Sequence, residues 1–386
     1  MSNINRIYIH IPFCNTKCDY CAFHSVTDFN KEVLEQYFKL LENNFKKQQG
    51  KTTVIDSVFI GGGTPSILSE YYINHLFFLI NKYFHIAKTA EISIELNPES
   101  LSKEKIKIIS AHVNRISLGI QTFNKTHRKT LGRVGRVSSI YKSIEHIFDT
   151  EIANVSCDFI YGIPGQKIKD LKLDIDTALQ YPFKHMSAYS LTFEENTQLS
   201  NKILNCSLYD RTSAKMWELL PYFTEKYNFK KYEISNYCIP GYECKHNLDT
   251  WFGGKYLGFG PTASSFDGVN RWTQPKMNEW LNKQQSRIDK LSKNERIKEI
   301  FIMGLRTVDG WLIEKKDNYQ VIYSPFSIKS RKIDVPNSLW EEIKPTLEKL
   351  YRQNLLLLTD ISDNIFKIQP TEKGMLFWNE IGVELI

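Results

Sequence analysis

The architecture of the chain follows from one short segment near its start, Arg6-Ile-Tyr-Ile-His-Ile-Pro-Phe-Cys14-Asn-Thr-Lys-Cys18-Asp-Tyr-Cys21-Ala-Phe23. The first half of the segment is a run of β-branched and aromatic residues, which predicts a buried strand over residues 7–13. Pro12 stands near the end of this run, and we expect the strand to stop where the three thiols begin. The three cysteines therefore lie on a loop at the end of a strand.

Cys14, Cys18 and Cys21 have the spacing C-x3-C-x2-C, which suits an iron-sulfur cluster. Soft thiolate sulfur binds iron, and the short spacers let successive cysteines reach adjacent irons, so that one iron is left for another ligand. The alternative is a structural zinc site completed by His10 or His24. Structural zinc usually takes two ligand pairs separated by a longer gap, and no second close pair follows here, so the pattern favours the cluster.

The composition is that of a globular protein, with 386 residues of which 42% are hydrophobic. This length suits one large barrel with an appendage, or two ordinary domains. The cysteine count of 7 is odd and does not indicate a secreted disulfide framework, so we expect a cytoplasmic protein. We expect neither a signal peptide nor an integral membrane segment, because the apolar runs are short.

The formal net charge of +7 raises the question of an anionic partner. The lysines are scattered along the chain, and the densest basic runs lack the interleaved aromatic residues of a groove that binds nucleic-acid strands. We therefore expect no nucleic-acid partner.

Apolar strands and amphipathic helices alternate in the first half of the chain. The predicted strands cover residues 7–13, 58–61, 92–96, 116–120, 155–161 and 186–191, and the predicted helices cover residues 31–46, 70–84, 102–111, 138–148 and 167–179. This order predicts the α/β class and an incomplete parallel (β/α)6 barrel, with an open doubly wound sheet as the alternative. In either arrangement the carboxyl ends of the strands converge on one site.

We expect three parts along the chain. Residues 1–200 form the partial barrel, and residues 201–284 extend it with a helix, an edge strand near residues 232–237 and a glycine-rich connection. Residues 285–386 form a smaller C-terminal domain, mainly helical and winged-helix-like, with a hairpin over residues 355–369 and a last helix that starts after Thr371.

Polar or glycine-rich residues follow all the predicted strands of the barrel, which favours a single shared site. The glycines before Thr64 allow a ligand to approach the backbone closely, although a tight turn with Thr64 as a helix cap would use the same residues. Glu95 ends an otherwise apolar strand, where a buried carboxylate needs a partner. That partner is either a ligand hydroxyl or one of the arginines Arg115 and Arg133.

Together these motifs resemble those of the oxygen-independent coproporphyrinogen III oxidase-like family of radical S-adenosylmethionine (SAM) proteins, over about residues 6–310. In this family a [4Fe-4S] cluster binds SAM at its open iron and, when reduced, cleaves SAM to a radical. The resemblance implies a metal site at Cys14, Cys18 and Cys21, a SAM site at Gly62, Gly63, Thr64, Glu95, Gln121, Arg133 and Asp158, and secondary SAM contacts at Tyr8, Tyr20, Ala188 and Ser264.

Two features separate the branches of this family. The oxidases carry a fourth cysteine two residues after the third, where this chain has Phe23, and they carry an N-terminal arm before the first strand. The first predicted strand here begins within the first ten residues. Both features favour the branch of HemW-type haem chaperones over the oxidases, and a radical SAM enzyme with another substrate is a third possibility.

The chaperone branch has a His-Asn-x-x-Tyr-Trp signature, and the corresponding segment here is His246-Asn-Leu-Asp-Thr250-Trp251. The resemblance implies that His246 binds haem, with Thr250 in place of the tyrosine, and Cys244 is a rival ligand. The alternative is a hydrogen-bonded structural histidine. The expected function is haem binding and transfer to an acceptor protein, with coproporphyrinogen III oxidation as the alternative and enzymatic turnover left open.

Overall fold

The computed structural model describes residues 4–195, 197–202, 207–325 and 331–386. Cys206 lies outside these ranges. Among the described residues, none of the helices combines the length and the apolarity that crossing a bilayer requires.

The first part of the chain is a partial barrel of parallel strands. The strands, hydrogen-bonded in chain order, are β1 (Arg6–Ile11), β2 (Ile55–Gly62), β3 (Ile86–Leu96), β4 (Arg115–Gln121), β5 (Asn154–Tyr161) and β6 (His185–Ser190). The helices are α1 (Lys31–Gln48), α2 (Glu70–Tyr83), α3 (Lys103–Ser110), α4 (Lys125–Thr130), α5 (Val137–Phe148) and α6 (Ile168–Ala178). The parallel pairing confirms the incomplete (β/α)6 barrel, and α4 is a helix that the sequence did not predict.

Helices α1 and α3 begin at polar caps, and helices such as α5 bury one face. The Asn30 side chain accepts a hydrogen bond from the Val33 N–H, and Ser102 caps α3 in the same way, which satisfies backbone donors that have no partner inside a helix. In α5 the buried residues Ile140, Ile144 and Ile147 recur at helical spacing and pack on the sheet. These local signals explain why the predicted helices have the observed positions.

The next part extends the sheet at both edges. Its elements are α7 (Gln198–Lys202), α8 (Ser207–Thr224), β7 (Lys230–Lys231), β8 (Asn236–Cys238), α9 (Lys245–Trp251), β9 (Leu257–Phe259), β10 (Ser264–Phe266), β11 (Arg271–Thr273), α10 (Met277–Leu281) and β12 (Arg287–Asp289). β8 pairs antiparallel with β6, and β9 pairs parallel with β1, which gives a nine-stranded sheet. The predicted edge strand is present in part, because residues 232–235 turn between β7 and β8.

The last part packs helices on an antiparallel sheet. Its elements are α11 (Lys293–Gly304), β13 (Trp311–Lys315), β14 (Tyr319–Tyr323), β15 (Lys332–Pro336), α12 (Asn337–Arg352), β16 (Leu356–Ser362), β17 (Ile365–Pro370), α13 (Glu372–Leu376) and α14 (Trp378–Leu385). The predicted hairpin is confirmed as β16 and β17, and Thr371 caps the helix after it. The sheet also contains β13, β14 and β15, which the mainly helical prediction lacked, because such short strands are stabilised by pairing rather than by local sequence.

Two hydrophobic cores underlie these parts. The larger core lies between the barrel strands and their helices. The second core surrounds Trp311 and includes Leu248 and Phe252, which lie in α9 and directly after it, with the ring centroids of Phe252 and Trp311 4.9 Å apart. Residues 201–284 therefore contribute to both cores, and the boundaries at residues 200 and 284 stay predictions.

Candidate functional site

A cavity of about 860 Å³ runs through the inside of the barrel. Every second residue of β4, from Arg115 through Ser117 and Gly119 to Gln121, lines it. Because a strand rises about 3.3 Å per residue, the cavity follows β4 for roughly 20 Å. The predicted site residues that line it are Tyr8, Cys14, Cys18, Tyr20, Cys21, Gly62, Gly63, Thr64, Glu95, Gln121, Arg133, Asp158 and His246.

The cysteine loop lies at the carboxyl end of the barrel, where the exposed side chain of Phe23 marks the mouth of the cavity. The loop is fixed at its two ends, because the Cys14 N–H donates to the Val26 carbonyl at 3.1 Å and the Cys21 N–H donates to the Cys18 carbonyl at 3.1 Å. Cys14 is buried, whereas Cys18 and Cys21 are half-buried. The three thiols therefore line the mouth of the cavity without filling it.

The glycine segment after β2 packs directly against the cysteine loop. Gly62 has φ +111°, and a Cβ there would lie 2.7 Å from the His10 ring. A Cβ on Gly63 would lie 3.0 Å from the Cys14 sulfur, so only glycine allows this approach. Thr64 stands at a helix N-cap position but makes no capping hydrogen bond with its side chain, and its hydroxyl lies 3.4 Å from the Cys14 sulfur instead.

Glu95 is a carboxyl group on the cavity wall. Its Oε2 accepts a hydrogen bond of 3.1 Å from the Gly62 N–H. Among the described residues it forms no ion pair with Arg115 or Arg133, so the salt-bridge alternative is not found. Burial, with the nearby Asp158 as a second cause, raises the pKa of Glu95 to about 7.

Asp158 is held by hydroxyl groups rather than by a cation. Ser117 donates to its Oδ2 at 2.6 Å, and Ser156 donates to its Oδ1 at 2.9 Å. Burial raises the pKa of Asp158, and these hydrogen bonds act in the opposite direction. The carboxylate is thereby fixed in position beside Glu95 on the same wall of the cavity.

Gln121 and Arg133 lie at the carboxyl end of β4. Gln121 has φ +66°, where the register between β4 and β5 shifts, and such irregularities re-aim side chains next to functional sites. The Arg133 guanidinium donates to the Gly119 carbonyl at 2.6 Å and lies 3.8 Å from the Cys18 sulfur. Arg133 therefore joins the strand end to the cysteine loop.

His246 lies at the opposite, inner end of the cavity, on α9. Its Nδ1 is hydrogen-bonded to the Ser57 hydroxyl at 2.8 Å, its backbone N–H donates to Glu91 at 3.0 Å, and its carbonyl accepts from Arg6 at 3.0 Å. No described residue bonds to its Nε2. Burial, with Arg6 nearby, lowers the pKa of His246 to about 3, so the imidazole is neutral at neutral pH.

The other residues of the His246 segment have different surroundings. Burial, with Glu91 nearby, raises the pKa of Cys244 to about 12, so the thiol stays protonated and is a poor iron ligand. Thr250, which stands in the position of the family tyrosine, donates to the His246 carbonyl at 2.8 Å and accepts from Arg6 at 3.0 Å. Its hydroxyl therefore has a structural role. Trp251 does not line the cavity, and its ring packs on Arg306.

The zinc alternative is not supported by the positions of the histidines. His10 is hydrogen-bonded through Nδ1 to Tyr8 and through Nε2 to the His24 carbonyl, and His24 accepts from the Met277 N–H. In the described part of the chain, no three His, Cys, Asp or Glu side chains converge closely enough to hold one metal ion.

Ala188 and Ser264 do not line the cavity. The Ala188 side chain packs in the barrel core, because neighbouring residues of a strand point to opposite faces. Ser264 lies in the separate sheet of β10, β11 and β12, and its hydroxyl is 2.8 Å from that of Thr273. Neither side chain therefore faces the predicted SAM site.

Sequence reasoning missed several residues that line the inner half of the cavity. Ser117, His185 and Ser187 were not predicted as part of the site, and Arg115 was considered only as a partner for Glu95. Polar or small residues alternate with apolar ones along Arg115-Ile-Ser-Leu-Gly-Ile-Gln121, and this period of two could have identified one inward face.

Comparison with known proteins agrees with this geometry. Residues 8–178 match the model of the Radical SAM superfamily. Heme chaperone HemW of Lactococcus lactis is 31% identical over 98% of this chain and 96% of the relative. The chain belongs to the HemW family of radical SAM proteins. Heme chaperone HemW of Bacillus subtilis is 36% identical over 68% of this chain and 71% of the relative.

The fold has a counterpart among solved structures. Coproporphyrinogen III oxidase (HemN) from Escherichia coli superposes with a TM-score of 0.78 over 100% of this chain and 91% of that protein. The sequence identity is 18%, so the likeness concerns the fold alone.

Membership of the radical SAM superfamily implies a [4Fe-4S] cluster and SAM. The donor set fits the cluster, because three free thiols line the mouth of the same cavity. The wall behind them fits a cationic ligand, because Glu95 and Asp158 have no ion-pair partner among the described residues.

The raised pKa of Glu95 predicts a measurable loss of stability in the ligand-free protein. The folded pKa of about 7 lies above the unfolded value of 4.5, so stability falls as the pH rises between these values and is constant above them. Glu95→Gln is expected to remove this loss, which is about 2–3 kcal/mol. Urea unfolding at pH 5 and pH 8 measures it, with Glu145→Gln on exposed α5 surface as the control. Equal pH dependence in wild type and Glu95→Gln would contradict the assignment.

Proposed function

We propose that the protein is a haem chaperone that carries a [4Fe-4S] cluster with exchangeable SAM and passes haem to an acceptor protein. The observation that carries this proposal is the match to the Lactococcus lactis relative named heme chaperone HemW, which spans 98% of this chain. Phe23, in the position of the fourth cysteine of the oxidases, supports the same branch. The cytoplasmic location stays a prediction.

In this proposal Cys14, Cys18 and Cys21 ligate the cluster at the mouth of the cavity. Arg133 offsets part of the negative charge of the thiolates, because its guanidinium lies 3.8 Å from the Cys18 sulfur. The cluster, when bound and reduced, supplies an electron to SAM. Gly63 and Thr64 form the adjoining wall, where glycine lets the backbone pack closely against the cysteine loop.

The polar residues beside the glycine segment would orient SAM. Glu95 and Asp158 accept hydrogen bonds and would bind hydroxyl or ammonium groups of the ligand, while Gln121 offers an amide at the strand end. Binding of a cation would favour the ionised form of Glu95, so the group that destabilises the ligand-free protein would contribute to affinity.

Haem ligation is proposed for His246. Its imidazole is neutral, and its Nε2 has no partner among the described residues, which are the two properties that an iron ligand needs. The imidazole lies at the inner end of the cavity, so haem would reach it only through the barrel or after displacement of α9. The buried hydrogen bond to Ser57 also supports the structural alternative, and the experiment below separates the two.

The cluster assignment is tested by Cys18→Ser. The wild-type protein is expected to bind about four irons per chain after anaerobic reconstitution, and SAM is expected to change the spectrum of the reduced cluster. Cys18→Ser should lose most of this iron, whereas Cys238→Ala, a buried cysteine on β8, should keep it. A full cluster in Cys18→Ser would disprove the ligand set.

The chaperone and oxidase functions are separated by one incubation. The reconstituted protein is mixed anaerobically with coproporphyrinogen III, reductant and SAM, and the products are separated by chromatography. We expect no protoporphyrinogen above the level of a control without protein. Formation of protoporphyrinogen over many turnovers would replace the chaperone proposal with the oxidase.

The haem ligand is tested by titration of His246→Ala and Cys244→Ala with haem. We expect His246→Ala to weaken binding by at least about tenfold and to change the Soret band, because an axial ligand is lost. Cys244→Ala should behave as wild type, since its thiol is protonated. Unchanged affinity and spectrum in His246→Ala, in a variant with normal thermal unfolding, would leave His246 with a structural role only.

A further inference from the structure

The inner half of the cavity is not used by the cluster or by the proposed SAM contacts. Its wall is formed by Arg115, Ser117, His185 and Asn236, and α9 closes it with Cys244 and His246. Arg115 is the first residue of β4 and Gln121 the last, so Arg115 lies roughly 20 Å along the strand from the SAM end. The cavity of about 860 Å³ therefore continues beyond the proposed SAM contacts into a polar inner chamber.

Arg115 is a buried cation without an ion-pair partner. Its side chain is only 3% exposed, its Nη1 donates to Asn154 at 2.8 Å, and its Nε has no hydrogen-bond partner. Within the described ranges, no carboxylate oxygen lies within 4 Å of the guanidinium, whereas the other deeply buried arginines, Arg6, Arg128 and Arg296, each have at least one. Burial disfavours the charge, but nearby groups, led by Cys244 and Glu91, outweigh burial and raise the pKa of Arg115, so the guanidinium stays charged and still lacks a direct carboxylate contact.

The two carboxyl groups near Arg115, those of Glu91 and Asp158, already accept hydrogen bonds from other groups. Glu91 accepts hydrogen bonds from the backbone N–H groups of Lys245 and His246 at the start of α9, both at 3.0 Å. Asp158 accepts from the hydroxyls of Ser117 and Ser156. Their charges act on Arg115 from a distance, but neither forms the short, paired hydrogen bonds that a guanidinium makes with a carboxylate.

The remaining groups of the chamber favour a ligand with a single negative charge. Burial lowers the pKa of His185 well below its ordinary value, and that of His246 is also low, so neither ring adds a positive charge. Among the described residues that line the cavity, Lys17 and Arg133 belong to the outer end, near the cysteine loop. One guanidinium matches one carboxylate, whereas a phosphate dianion would need a second cation.

We propose that the inner chamber binds the carboxylate of an organic ligand, with Arg115 as the anchoring cation. The ligand is either a free small acid or the propionate side chain of a porphyrin, which present the same chemical group. In both cases the two ligands would be arranged by charge, with cationic SAM beside Glu95 and Asp158 and the carboxylate beside Arg115.

The first arm of the test uses propionate and needs no knowledge of haem binding. The reconstituted full-length protein is unfolded thermally with sodium propionate, with the neutral analogue propionamide, or with sodium chloride at equal ionic strength. We expect propionate alone to raise Tm, by about 2 °C at ten times its Kd. Arg115→Gln should abolish the rise, and Arg287→Gln, an exposed arginine on β12, should keep it.

The second arm compares haem with its dimethyl ester, and it rests on the proposed function. If the carboxylate comes from the porphyrin, wild type should bind the ester about tenfold more weakly than haem, and Arg115→Gln should bind haem as weakly as wild type binds the ester. If the ligand is a small acid, only the propionate arm responds. If the protein does not bind haem, the chaperone proposal is refuted. The propionate arm alone then tests whether Arg115 binds a carboxylate.

The proposal is overturned if propionate and propionamide have equal effects on wild type and the ester binds as tightly as haem. This comparison needs only the wild-type protein, so it tests the proposed carboxylate site even if Arg115→Gln does not fold. An equal response to propionate in wild type and a folded Arg115→Gln would also overturn it, because the acid would then bind elsewhere.

Discussion

The barrel depends on the pairing of polar groups that its strands point inward. A sheet of parallel strands normally fills its interior with apolar side chains, and charged groups placed there need partners to remain stable. The partners come from neighbouring elements: Asp158 is held by serines of β4 and β5, and Glu95 is held by the backbone of the glycine segment. This pairing keeps a polar cavity open where a packed core would otherwise form.

The same constraint explains the position of α9. Glu91 on β3 accepts hydrogen bonds from the first backbone N–H groups of the helix, where the helix dipole favours negative charge. Arg6 donates to the His246 carbonyl in the first turn of the same helix and forms an ion pair with Asp249 at 2.7 Å. Arg331 binds Asp249 with two hydrogen bonds, so one carboxylate joins β1, α9 and the C-terminal part. The segment that carries the family signature therefore also connects β1 to the C-terminal part.

These contacts give several residues of the signature a structural role. Thr250 donates to the His246 carbonyl and accepts from Arg6, so it connects the helix to β1. Trp251 and Phe252 pack toward the C-terminal part, against Arg306 and Trp311. His246 combines structural contacts with access to the cavity, so a variant is needed to separate its structural role from a ligand role; its neighbour Asn247 also lines the cavity.

Local sequence determined the barrel strands, most of their helices and the cysteine loop, because periodicity, caps and ligand spacing act between residues close in the chain. It also identified Glu95, which ends an apolar strand, whereas Asp158 was assigned through the family resemblance. The position of His246 at the inner end of the cavity, the partners of Arg115 and the strands β13, β14 and β15 were decided only by the tertiary structure. These features depend on contacts between distant segments, such as Ser57 with His246, and no local pattern encodes which segments meet.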